Sequence, residues 1–142
     1  MTADYEGQEY EEQEEQEEAR AEPGDSYVTI EISSLSVFTH HGATKAEQET
    51  GQRLVFDITL DIEDCDATIT DRLEDTIDYG AVCDAVTFIA TERSYHTLER
   101  LCTAVADTLI ERFGASGVLV RATKPEPPLP VAVEEVSVEV SR

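Results

Sequence analysis

The chain has 142 residues, 32 of them Asp or Glu and 10 Lys or Arg, a formal net charge of -22. That length suits one domain with room for a tail, and a composition 40% hydrophobic is enough to build a core. So acidic a balance argues against a nucleic-acid backbone or an anionic membrane surface as partner, because both need Lys/Arg patches. Three Cys with no CxxC pair make neither a disulfide framework nor a zinc knuckle, which points to reduced thiols in a cytoplasmic protein. No apolar run approaches the ~20 residues of a membrane span, and the N-terminus lacks the basic start and apolar stretch of a secretory signal.

The charge is uneven. Residues 1–25 carry 11 acids and one base, Arg20, a net of -10; the remaining 21 acids and 9 bases leave -12 for residues 26–142. The Glu/Gln run from Glu9 to Glu18 has no apolar stripe to offset the entropy of ordering. Residues 1–25 therefore read as a disordered acidic tail, closed by Pro23-Gly24.

In the folded part, Val28, Ile30 and Ile32 alternate with polar residues, the period of a half-buried strand. The pattern runs loosely through Leu35, Val37 and Phe38 to His40. A polar connection leads to the clearest strand, with Leu54, Phe56, Ile58, Leu60 and Ile62 on one face. Two such strands predict an antiparallel hairpin. Residues 64–78 read as a loop with a short helical turn, and Asp78 as an N-cap. Val82, Cys83, Val86, Ile89 and Ala90 recur at helical spacing, as do Leu98, Leu101, Cys102, Val105, Ala106, Leu109, Ile110 and Phe113, with Gly114 as the stop. Cys83 and Cys102 are expected as small core residues. Val118 and Val120 open a strand ending near Lys124, where four prolines forbid continuation. Val136, Val138 and Val140 make the last strand. The order predicts an α+β domain over residues 26–142: a four-stranded antiparallel sheet, ββααββ, with two helices on one face. Its open edges favour joining subunits.

The chemistry is not announced by common signatures: GxGxxG, P-loop and GxSxG motifs are absent. His40 and His41 are strand-end neighbours that point to opposite faces, so no metal site is expected. Four local patterns remain: His41-Gly42-Ala43 with Glu47; Thr76-Ile77-Asp78-Tyr79-Gly80; Leu98-Glu99-Arg100-Leu101; and Lys124-Pro125-Glu126-Pro127-Pro128. Each alone has an ordinary structural role: a turn, a cap with Tyr79 packed on the sheet, a helix start, a rigid loop.

Together, in this order, the runs HHGATKAEQETGQ, TIDYG, LERL and TKPEPPLP resemble the dihydroneopterin aldolases of folate biosynthesis over roughly residues 27–142. The resemblance implies the tunnelling fold, an oligomeric barrel of four or eight subunits with sites between them, and no cofactor. It implies a pterin substrate anchored by Glu99, whose carboxylate accepts a bidentate pair from the ring amino group and its neighbouring N–H. Leu98 and Ile77 would add backbone contacts, Thr76 a hydroxyl, and Ala43 a border of the site. Lys124 would serve in the base step, Glu47 would lie nearby in a less defined role, and Tyr79 would protonate the carbon left after cleavage. The departure from the family pattern is His40, where a Tyr often occurs nearby.

Two rivals stay open. A 2'-epimerase acting on dihydroneopterin triphosphate would share the fold, but its charged substrate calls for more cations than Lys45, Arg53, Arg100 and Lys124 supply. A non-catalytic pterin-binding protein would not need Lys124 and Tyr79.

Overall fold

A computed structural model describes residues 26–142, so the expected tail at 1–25 lies outside the described residues. The elements in chain order are β1 (Val28–Thr39), α1 (Lys45–Thr50), β2 (Gln52–Ile62), α2 (Ala67–Thr70), a 3-10 turn (Leu73–Asp75), α3 (Tyr79–Glu92), α4 (Leu98–Phe113), β3 (Gly117–Lys124) and β4 (Val136–Ser141). The sheet order is β1-β2-β3-β4 with every neighbour antiparallel. This is the expected α+β arrangement, with β1 and β4 as its edges.

The core lies between one sheet face and helices α3 and α4. The alternation in β2 buries Leu54, Phe56, Ile58, Leu60 and Ile62. They meet Val82, Ala85, Val86 and Ala90 of α3 and Leu98, Leu101, Cys102, Val105, Ala106 and Leu109 of α4. Each large apolar side chain fully buried here contributes about 1.5–3 kcal/mol. Cys102 is buried as expected, and burial pushes its thiol up to about 11. Cys83 is only half-buried because α3 turns Ala85 inward as well. Gly114 takes φ 71° and ends α4, the left-handed stop that glycine makes without strain.

The loose alternation in β1 has a local cause. Between Ile32 and Leu35, Ser33 and Ser34 stand opposite the single residue Asp57, a β-bulge with Ser34 at φ 57°. The Ser34 N–H donates to Asp57 Oδ1 at 2.9 Å, which holds the extra residue. The bulge flips the phase, so Leu35, Val37 and Thr39 now face the core.

Strand register places the rest. Val55 lies opposite Thr123, and Asp61 opposite Gly117. One end of the sheet thus carries Thr39, Gln52 and Lys124; the other carries Val28, Ile62 and Gly117. No helix among the described residues is long and apolar enough to cross a membrane.

Candidate active site

The β1–β2 connection contains α1, where the sequence had suggested only a polar connection. Thr44 caps it by accepting from the Glu47 N–H at 3.2 Å, and its hydroxyl donates to Glu47 Oε1 at 3.3 Å. The spacing Thr44-Lys45-Ala46-Glu47 is that of a capping box, with the Thr44 hydroxyl making both contacts to Glu47. Six residues without an apolar stripe gave no periodicity to reveal it. Gly51 closes the helix at φ 74° and passes so close to Phe38 that a Cβ there would sit 2.6 Å from its ring.

The cap aims Glu47 at the end of β3. Lys124 Nζ donates to Glu47 Oε2 at 3.1 Å, and the two side chains are 17% and 16% exposed. Gln52 Nε2 also donates to Oε2, at 3.4 Å. Burial opposes the charge on Glu47, but the Lys124 ammonium, with Gln52 and Thr44, outweighs it and holds the carboxyl below its ordinary range. Beside the pair opens a cleft of about 620 Å³ lined by Phe38, Thr44, Glu47, Gly51, Gln52, Arg53 and Glu126, among others.

Beneath this pair lies His41, fully buried. Its Nε2 lies 2.7 Å from the Ala90 carbonyl, and its Nδ1 accepts the Tyr95 N–H at 2.8 Å. Gly42 N–H donates to the Tyr95 carbonyl at 3.0 Å, and Gln52 Nε2 to the His41 carbonyl at 2.9 Å. His41 is therefore a core element and not the turn residue that the sequence suggested.

At the same end, Thr97 caps α4 by accepting from the Arg100 N–H at 3.2 Å. That sets Glu99 in the exposed first turn, where the helix dipole favours its charge, beside the buried Leu98. Ala43 is exposed just before α1.

Thr76, Ile77 and Tyr79 stand elsewhere. Asp78 Oδ1 accepts from the Gly80 and Ala81 N–H groups at 3.0 and 3.3 Å, the expected cap of α3. Tyr79 does not pack on the sheet; it is 64% exposed. A shallow cavity joins Thr76, Ile77 and Asp78 to Arg112 and Phe113 at the far end of α4. With a rise of 1.5 Å per residue, Phe113 lies about 20 Å from Glu99. The eight expected site residues thus form two groups at opposite ends of one chain: Ala43, Glu47, Leu98, Glu99 and Lys124 at one, Thr76, Ile77 and Tyr79 at the other.

The family model for dihydroneopterin aldolase matches residues 30–141. The chain belongs to the dihydroneopterin aldolase family. A Streptococcus pyogenes serotype M6 dihydroneopterin aldolase is 31% identical over 114 residues, which cover 80% of this chain and 96% of the relative. A Methylorubrum extorquens dihydroneopterin aldolase is 29% identical over 114 residues, covering 80% and 88%. The crystal structure of the E. coli dihydroneopterin aldolase in complex with neopterin is 28% identical, with a TM-score of 0.73, covering 81% of this chain and 98% of that one. In this family member, sequence reasoning missed Gln52 and the part played by His41. Gln52 had a signal, since it follows the Gly51 stop and is a polar residue in phase with the buried Leu54; His41 was noted only as part of a turn, because its partners are backbone groups about 50 residues away.

Proposed function

We propose that this chain is a 7,8-dihydroneopterin aldolase, cleaving dihydroneopterin to 6-hydroxymethyl-7,8-dihydropterin and glycolaldehyde without a Schiff base or metal. The observation that carries this reading is the largely buried Lys124–Glu47 pair beside a cleft that Glu47 lines, in a member of this family. Glu99 is the pterin anchor, its exposed carboxylate free to take the paired ring donors, with Leu98 and Ala43 beside it.

The pair gives Glu47 a defined part. It fixes Lys124 Nζ by hydrogen bonding, and Lys124, in its amine form, accepts the proton of the side-chain hydroxyl, directly or through water. As that hydroxyl becomes the glycolaldehyde carbonyl, the C–C bond breaks and its electrons enter the ring C=N bond as an enamine. Tyr79 protonates the ring-side carbon and restores the C=N bond. The substrate thus supplies its own electron sink, the role that a lysine Schiff base or zinc fills elsewhere.

Tyr79, Thr76 and Ile77 cannot meet Lys124 within one chain across about 20 Å of helix. The site is accordingly shared between subunits in an oligomeric barrel of four or eight chains. Two sheet edges that are unpaired among the described residues, and exposed Phe38, Leu129, Val131 and Val136, support that assembly.

Among the charged residues lining the cleft, Arg53 stands against Glu47 and Glu126, which favours an uncharged substrate over a triphosphate. The test is incubation with dihydroneopterin, assaying glycolaldehyde and the hydroxymethyl product with no added metal and with chelator. Absence of both products refutes the aldolase; activity lost to the chelator refutes the metal-free route.

A further inference from the structure

His41 occupies a position that the catalytic chemistry does not account for. It is fully buried, yet both ring nitrogens are used. The Tyr95 N–H at 2.8 Å needs a lone pair on Nδ1, which places the proton on Nε2, pointing at the Ala90 carbonyl 2.7 Å away. Ala90 lies in the last turn of α3, where carbonyls have no helical partner, and the chain leaves the helix at Arg93 in extended conformation. The imidazole therefore caps α3 and clasps Tyr95 at once. Gly42 completes the clasp from its own N–H to the Tyr95 carbonyl at 3.0 Å.

This clasp reaches Glu47 through direct contact. A Cβ on Gly42 would fall 2.4 Å from Glu47 Cβ and 2.9 Å from its Oε2, so the Glu47 side chain rests on the Gly42 backbone. The His41 carbonyl holds Gln52 Nε2 at 2.9 Å, and the same Nε2 reaches Glu47 Oε2. Gln48 ties the loop a second time, to the Gly42 carbonyl and to His96 Nδ1, both at 2.9 Å. The neutral form of His41 is favoured by burial first, and further by His40 and Lys124, against the pull of the Ala90 carbonyl.

We infer that His41 is a positioning residue for turnover: its neutral ring anchors the backbone on which Glu47 rests, and so sets the contact between Glu47 and Lys124. This rests on the aldolase reading above. His41→Gln keeps the volume and a donor toward Ala90 but lacks a ring acceptor at the Nδ1 position; His41→Asn places its carbonyl oxygen near that position.

The experiment is a kinetic cycle on the full chain with His41→Gln, His41→Asn, Glu47→Gln and the double variant His41→Gln/Glu47→Gln. His41→Gln should lower kcat about tenfold, while neopterin binding stays within about twofold and His41→Asn recovers kcat to within about threefold of wild type. In the Glu47→Gln background, His41→Gln should cost less than about twofold more, because its effect runs through Glu47. Losses that multiply, wild-type kcat in His41→Gln, or neopterin binding that falls in step with kcat would each overturn the assignment. A wild-type chain without turnover overturns the aldolase reading; full wild-type turnover with any of those three results overturns only the role of His41.

Discussion

Replacing Glu47 by Gln removes one charge and leaves the shape. Lys124 Nζ then faces a neutral amide in place of the carboxylate 3.1 Å away. Both side chains are less than one-fifth exposed, so the pair falls between a surface ion pair and a fully buried one. A hydrogen bond to a charged group contributes about 1.5–3 kcal/mol at this degree of burial. For a folded part of this size that corresponds to about 6–12 °C in Tm, at roughly 4 °C per kcal/mol. The assay is thermal unfolding at matched protein concentration, because assembly also moves Tm. The pH dependence supplies an internal check. The Glu47 carboxyl is held below its ordinary value of 4.5 by Lys124, so the unfolded chain binds more protons there in acid. Its stabilisation is complete above that unfolded value and disappears as pH falls through the lower folded one. The Tm difference between Glu47→Gln and wild type should therefore shrink below about pH 4. A difference of under about 1 °C at neutral pH, or one that grows in acid, would refute the reasoning.

Lys124→Ala should lower kcat about 10²-fold or more with neopterin affinity largely kept, read by steady-state kinetics and equilibrium binding. Glu99→Ala should do the reverse, weakening neopterin binding about 10-fold or more, since a bidentate charged contact is lost. Asp78→Ala should cost about 1 kcal/mol in denaturant unfolding, because the cap accepts from both Gly80 and Ala81.

The strands and long helices were legible because their apolar residues keep one period: two in β2, about 3.6 in α4. The cap at Asp78 and the stop at Gly114 were equally readable, each depending on one residue type at one position. The bulge at Ser33–Ser34 was not, since an extra residue in a strand only blurs the alternation. The two short elements beside Lys124, α1 and the His41 clasp, went unread for different reasons. The helix α1 buries no residue, so it has no stripe; its signal was the Thr44–Glu47 capping box. His41 is fixed by the Ala90 and Tyr95 main chain, and backbone groups carry no sequence signature. The site residues themselves came from resemblance, and their division into two groups at opposite ends of α4 required the fold.

The shared site is the claim most open to direct test. Lys124→Ala and Tyr79→Phe, each inactive alone, are mixed, dissociated and reassembled, and glycolaldehyde release from dihydroneopterin is measured. If each site takes Lys124 from one chain and Tyr79 from its neighbour, random equal mixing restores about one quarter of wild-type activity, the fraction of interfaces with both halves intact. Activity that stays at the level of the separate variants, in mixed oligomers shown to have formed, would contradict the account.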